Sequence, residues 1–266
     1  MIVDVNGHSL NYVARGTDDG LPVVFIHGFP FSHRMWEPQL EALPRRYRAV
    51  AYDVRGHGDS EVGHGQYTIE LFVDDLIGLL DHLAIDQAVV CGLSMGGYIA
   101  LRAVERHPER FRGLVLCDTR SEADTDEAKV KRAGTIAAVM SWGVPAFAEE
   151  FVKLVLAPRT LTANPLVAKK VRQMITATDP LGICGTLRAL AERTDTTPAL
   201  PAMNLPALVL VGEHDTLTPP ADAQAMARAL PDAALHVIPD AAHMSNLENP
   251  AAFNEHLLGL LGAIGN

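Results

Sequence analysis

Four short apolar runs, each separated from the next by a stretch of helical period, constrain this chain more than any other feature. Val23-Val24-Phe25-Ile26, Tyr47–Tyr52, Ala88–Cys91 and Leu114–Cys117 are brief strand patterns, and the first is apolar and β-branched, as strands buried on both faces are. Between them, apolar residues recur at helical spacing. Met35, Trp36, Leu40 and Leu43 form one stripe; Phe72, Leu76, Leu79 and Leu83 form another, with Thr68 as its cap; Tyr98–Arg106 forms a third. Such a βαβαβ succession folds as a parallel sheet with helices on both faces. Val3–Val5 and Leu10–Ala14 read as an opening hairpin.

The rhythm stops near Ser121. From there to Leu200 only helical patterns occur, with Pro145, Pro165 and Pro180 each placed as a first helical residue and Asn164 and Asp179 as caps. Strand patterns return at Ala207–Val211 and Leu235–Ile238, and a last helix opens at Asn249-Pro250 and carries Phe253, Leu257 and Leu261. The expected organisation is an α/β core over 1–120, a helical cap over 121–200 and the rest of the core over 201–266. An insertion of roughly 80 residues exceeds an ordinary connection and serves function, for instance as a lid.

Composition excludes several classes. A 48% hydrophobic content is enough for a large core and rules out global disorder. No run approaches the roughly 18 apolar residues of a membrane span. The start, MIVDVNGHSL, has neither the basic nor the apolar region of a secretory signal, so a cytoplasmic location is expected. Net charge is −10, with no basic footprint for nucleic acid. The groups Lys129, Lys131, Arg132 and Lys169, Lys170, Arg172 read as solvated helix faces. Cys91, Cys117 and Cys184 are too few and too scattered for a disulfide framework, and no CxxC or HExxH pattern occurs. No metal or cofactor is expected, and nothing points to an oligomeric state.

Gly92-Leu93-Ser94-Met95-Gly96 has the form G-x-S-x-G and lies between a strand pattern and a helix pattern. A serine there sits in a sharp turn that only small neighbours permit, with a helix N-terminus behind it. Ser94 is therefore the expected nucleophile. It needs a base, and His243 follows the last strand pattern. The base needs an orienting carboxylate. Asp215 follows the strand ending at Val211 and is preferred; Asp118, after the preceding strand, and Asp240, beside His243 in sequence, are rivals. His27-Gly28-Phe29-Pro30 follows a central strand, so the backbone N–H groups of Phe29 and Met95 are the expected oxyanion donors. Pro30 has no N–H to offer. Asp53-Val54-Arg55-Gly56-His57-Gly58-Asp59-Ser60 reads as structural, with Asp53 and Arg55 in local hydrogen bonds and no direct catalytic role for His57.

On HGFP at 27–30, DVRGHGDS at 53–60, GLSMGG at 92–97, GEHD at 212–215 and AAHM at 241–244, in that order, the sequence resembles the α/β-hydrolase family. The resemblance implies an eight-stranded, mostly parallel sheet with an all-helical cap between strands six and seven. It also implies Ser94, Asp215 and His243 as nucleophile, acid and base. Within the family the chain is similar to small bacterial carboxylesterases, enol-lactonases and cofactor-free haloperoxidases. The Phe29-Pro30 pair is similar to members with perhydrolase side activity. Serine at position 94, where haloalkane dehalogenases and many epoxide hydrolases of this fold carry aspartate, argues against both. The expected activity is hydrolysis of small carboxylic esters, the partner a small-molecule ester rather than nucleic acid or membrane. An enol-lactonase or a hydrolase of carbon–carbon bonds with the same triad is the main alternative, and a ligand-sensing protein that retains the triad a lesser one. Trp142, Met140, Phe147, Phe151, Met174 and Leu181 are the pocket residues expected from the cap; Arg120 and Arg188 are the cations that could meet a substrate carboxylate.

Overall fold

In the computed structural model, which describes residues 1–265, the apolar runs become one sheet. Its strands are β1 (Ile2–Val5), β2 (His8–Arg15), β3 (Leu21–Ile26), β4 (Tyr47–Tyr52), β5 (Ala88–Leu93), β6 (Phe111–Cys117), β7 (Ala207–Gly212) and β8 (Ala233–Ile238), in the order β1-β2-β4-β3-β5-β6-β7-β8. The opening hairpin pairs antiparallel and joins β4 antiparallel; every later pairing is parallel. All six residues of β5 and of β7 are buried, so helices cover both faces there.

The core helices are α1 (Glu37–Ala42), α2 (Ile69–His82) and α3 (Met95–Arg106). The Thr68 hydroxyl accepts the Leu71 N–H and caps α2, whose stripe Phe72, Leu76 and Leu79 is fully buried. Burying each of these side chains contributes about 1.5–3 kcal/mol. Arg55 does not bond locally as expected: its guanidinium forms a two-pronged pair with Asp75 of α2 at 2.6 and 2.8 Å. Asp53 accepts from Asn11, His33 and Asp59, which ties the turn after β4 to β2 and to the turn after β3.

Between β6 and β7 the chain leaves the sheet for α4 (Asp126–Val155), α5 (Pro158–Ala163), α6 (Pro165–Ala177) and α7 (Pro180–Ala191). Helix α4 packs on both α6 and α7. It is kinked at Gly143, whose φ of 80° is left-handed, and Pro145 opens the second half. Asp179 caps α7 by accepting the Leu181 N–H, whereas the Asn164 side chain, expected to cap α6, makes no such bond. The chain closes with α8 (Pro220–Ala229), α9 (Ser245–Glu248) and α10 (Pro250–Ile264), the last burying Phe253, Leu257 and Leu261. Among the described residues no helix is long and apolar enough to cross a membrane.

Candidate active site

Ser94 occupies the turn between β5 and α3 with φ 53° and ψ −114°, a conformation that costs a residue with a side chain about 1–3 kcal/mol. The turn is possible because its neighbours lack side chains. A Cβ on Gly92 would lie 2.1 Å from the Gly96 carbonyl oxygen, and one on Gly96 would lie 2.1 Å from that of Ile26. The Ser94 N–H donates to the Cys117 carbonyl at 2.9 Å, and the Thr119 hydroxyl donates to the Ser94 carbonyl at 2.8 Å. These bonds to the end of β6 hold the strained residue in place. Thr119 is a support that the sequence did not signal.

His243 lies in the loop after β8, and its Nδ1 is 2.8 Å from Asp215 Oδ2. Both side chains are almost fully buried. The other oxygen of Asp215 accepts the N–H groups of Leu217 and Thr218, and the Thr218 hydroxyl donates to Oδ2 at 2.7 Å. Burial alone would raise the Asp215 pKa. The positive end of His243 and the hydrogen bonds from His243 and Thr218 outweigh it and hold the carboxyl below its usual range. The only sequence sign of Thr218 is its place three residues after Asp215, where a hydroxyl folds back on a turn. Glu248 braces the histidine loop: one oxygen accepts the Ala242 N–H, the other the Ala157 N–H and the Thr160 hydroxyl.

The two rival carboxylates lie elsewhere. Asp118 is fully buried; it accepts from Gly212 N–H at 2.8 Å and from the Ser245 hydroxyl, joining β6, β7 and α9. Burial, and then the nearby Asp215 charge, push its pKa well up. Asp240 is exposed and pairs with Arg159 at 2.6 Å.

The turn after β3 brings Phe29 to the serine. Neither its N–H nor that of Met95 donates to an acceptor among the described residues. Two free amides beside a serine at a helix N-terminus can receive a developing oxyanion. The Phe29-Pro30 bond is cis. His27 bridges this turn to the next: its Nδ1–H donates to Gly28 O, and its Nε2 accepts the Val54 N–H. Burial drives its pKa down to about 4, so it is neutral. His57, buried beside it and against Phe29, is likewise lowered by burial to about 3 and leaves Nε2 without a partner.

A cavity of about 420 Å³ holds Ser94 and His243. Phe29, Phe147, Phe151, Leu154, Leu187 and Leu190 form its apolar wall. Phe147 and Phe151 thus stand where expected, and four other expected pocket residues do not. Met140 and Trp142 flank the Gly143 kink and are 70% and 74% exposed, because α4 turns Val139, Val144 and Ala148 inward. Met174 borders a separate depression with Ser32 and Lys170, and Leu181 covers Gly65. Of the cations, Arg120 lines the cavity and Arg188 does not. Lys131 and Arg132, expected on a solvated face, line it as well. No cluster of His, Cys, Asp and Glu able to hold a metal ion occurs among the described residues.

The family model described as alpha/beta hydrolase fold matches residues 22–250, and the chain belongs to that family. It is 32% identical to 3-oxoadipate enol-lactonase 2 of Acinetobacter baylyi over 92% of its length and 90% of that protein's. Its fold is similar to a thermophilic esterase from Thermogutta terrifontis solved with malate bound (TM-score 0.94, 38% identity, 100% of this chain and 97% of the other). It is similar too to the enol-lactonase from Burkholderia xenovorans LB400 (TM-score 0.93, 32% identity, 98% and 100% covered). The chain is a hydrolase of this family.

Proposed function

We propose that the protein hydrolyses small carboxylic esters, cyclic esters included, through a covalent acyl-enzyme on Ser94. The observation that carries this reading is the buried His243–Asp215 pair opening on the same cavity as a serine in a strained strand-to-helix turn. Asp215 accepts the His243 Nδ1–H, which leaves Nε2 unprotonated and basic. As Ser94 Oγ bonds to the ester carbonyl carbon, its proton passes to His243 Nε2. The carbonyl oxygen takes up negative charge and receives the N–H groups of Phe29 and Met95. The carbon–oxygen bond to the alcohol then breaks, and the imidazolium gives its proton to the departing oxygen. Water, deprotonated in turn by His243, attacks the acyl-enzyme; the acid leaves and Ser94 recovers its proton.

The enol-lactonase reading uses the same steps, except that the leaving oxygen stays tethered to the acyl chain. Enol-lactonase relatives at 32% and 30% identity support it, and the esterase neighbour supports the open-chain reading. Steady-state hydrolysis of p-nitrophenyl acetate through palmitate, with an enol-lactone alongside, separates the two. Acetyl to butyryl chains are expected to be preferred, since the cap that roofs the cavity is only roughly 80 residues long. A sulfonyl fluoride is expected to label Ser94, and Ser94→Ala to remain folded while losing all but the residual acceleration from binding and the oxyanion donors. A Ser94→Ala protein with a tenth of wild-type activity would overturn the reading.

A further inference from the structure

A chain with net charge −10 gathers four cations and one carboxylate around the cavity that holds Ser94: Arg120, Lys131, Arg132 and Arg193, with Asp124. Two of the four are accounted for within the protein. Arg120 pairs with Asp222 at 3.0 Å and donates to the Leu217 carbonyl. Arg193, almost fully buried, donates to the carbonyls of Glu122 and Leu190 and to Asp124. Arg132 then takes both oxygens of that same Asp124. Burial would raise the Asp124 pKa, but the two guanidinium groups hold it below the usual range. One carboxylate therefore serves two guanidinium groups. Lys131, one residue before Arg132 and exposed, has no ion pair or side-chain hydrogen bond among the described residues, although its charge acts on Glu127, the exposed acid four residues earlier.

Positive charge thus exceeds negative in the lining of a cavity whose other side chains are largely aromatic and aliphatic. Low-dielectric walls strengthen the attraction of such a surplus for an anion. One of these cations also stands beside α3, the helix that Ser94 leads into. Tyr98 lies one helical turn, about 6 Å, beyond Ser94 along α3, and the Arg193 guanidinium stands 4.3 Å over its ring. Joining α4 to α7 would account for the Arg132–Asp124–Arg193 bridge but not for an unpaired Lys131 beside it.

We propose that the cavity takes esters or lactones that also carry a free carboxylate, a short carbon chain away from the scissile carbonyl, with Lys131 and Arg132 as its counter-ions. This rests on the assignment of Ser94 as the nucleophile of the same cavity. An apolar segment against Phe147 and Phe151, an ester at Ser94 and an anion at Lys131 would use each wall.

The test is a pH-stat comparison of isosteric pairs at neutral pH. With the charge on the acyl side, the pair is monomethyl glutarate and methyl 5-methylhexanoate. With it on the alcohol side, the pair is 4-acetoxybutanoate and 4-methylpentyl acetate. In at least one pair the anion is expected to lead in kcat/KM by about tenfold, a lead that shrinks as salt is added. Lys131→Gln and Arg132→Gln are each expected to reduce that lead about fivefold, chiefly through KM. Lys131→Glu is expected to reverse it. Lys129→Gln, on the same helix but outside this cavity, is expected to keep it. Because Arg132 also holds Asp124, the Lys131 variants decide the matter if Arg132→Gln fails to fold. Neutral isosteres hydrolysed as fast as the anions in both pairs, or a lead that survives Lys131→Glu, would overturn the proposal. If anionic and neutral esters alike are hydrolysed by Ser94→Ala, it is the Ser94 assignment that fails instead.

Discussion

Replacing each of two buried aspartates by asparagine separates their roles sharply. In Asp215→Asn the new side chain has one oxygen, and the N–H groups of Leu217 and Thr218 will claim it. Its NH₂ must then face His243 Nδ1, 2.8 Å from the atom it replaces. An N–H pointing at Nδ1 drives the ring proton to Nε2, the atom that has to receive the Ser94 proton. The expected loss is ~10⁴ in kcat, about 5.5 kcal/mol of barrier. Asp118→Asn is different, because burial and the Asp215 charge already work against the charged form of the wild-type carboxyl. The amide oxygen can accept the Gly212 N–H, the NH₂ can donate to Ser245, and asparagine tolerates the φ of 45°. Less than a tenfold loss in kcat is expected. Stability shows the sign of the charge. An acid whose pKa is raised on folding contributes fully below its unfolded pKa and loses that contribution as pH rises through the folded value. Each unit of elevation is worth about 1.4 kcal/mol. The Tm of Asp118→Asn relative to wild type should therefore improve between pH 5 and pH 8, by roughly 2–4 °C for each kcal/mol. Saturating kcat on a short ester, with thermal melts at both pH values, reads both effects. A crippled Asp118→Asn beside a near wild-type Asp215→Asn would refute the assignment of the acid.

Thr218→Val removes the hydroxyl that donates to Asp215 Oδ2; kcat should fall about tenfold and recover in Thr218→Ser, measured on the same ester. Gly96→Ala sets a methyl 2.1 Å from a backbone oxygen, and a destabilisation of about 3 kcal/mol or more is expected in denaturant melts. His27 and His57, with pKa values lowered by burial to about 4 and about 3, make the fold acid-sensitive. Each gains its proton more readily when unfolded, so stability is full above the unfolded value of 6.5 and falls as pH drops toward the folded one. For His27 the loss between pH 8 and pH 5 is about 2 kcal/mol. His57→Gln should flatten part of that slope in urea midpoints taken at the two pH values.

The centre of the sheet was legible because its strands are local apolar runs, and the serine turn because the glycines that permit it are sequence neighbours. The order Ser94, Asp215, His243 could be read for the same reason: each follows a strand pattern. Strand ends alone did not separate Asp215 from Asp118, since both follow one; the order of motifs favoured Asp215, and the path of the 212–218 turn is what aims it at His243. The helical segment was harder still. Spacing tells which residues share a helix face but not which way that face looks. The Gly143 kink resets the direction within α4, so Phe147 and Phe151 border the cavity while Met140 and Trp142 face solvent. Nor could spacing show that Arg132 and the exposed Lys131 border the cavity as well as solvent.

The two strands that bracket the helical segment are direct neighbours, paired from Leu114 with Ala207 to Cys117 with Leu210. Residues 118–206 therefore leave the carboxyl end of β6 and return to the amino end of its parallel neighbour β7, a single crossover between adjacent strands. Closing a longer or shorter excursion there changes the entropy only logarithmically with its length. Most of the substrate-facing wall can thus be rewritten, shortened or exchanged as a single contiguous stretch of coding sequence. Ser94, Asp215 and His243, placed at the ends of other strands, would keep their positions through exchanges that spare Asp118, Thr119 and the contacts of Ala157 and Thr160 with Glu248. Selection on what the protein accepts is in this way separated from selection on what it does to it.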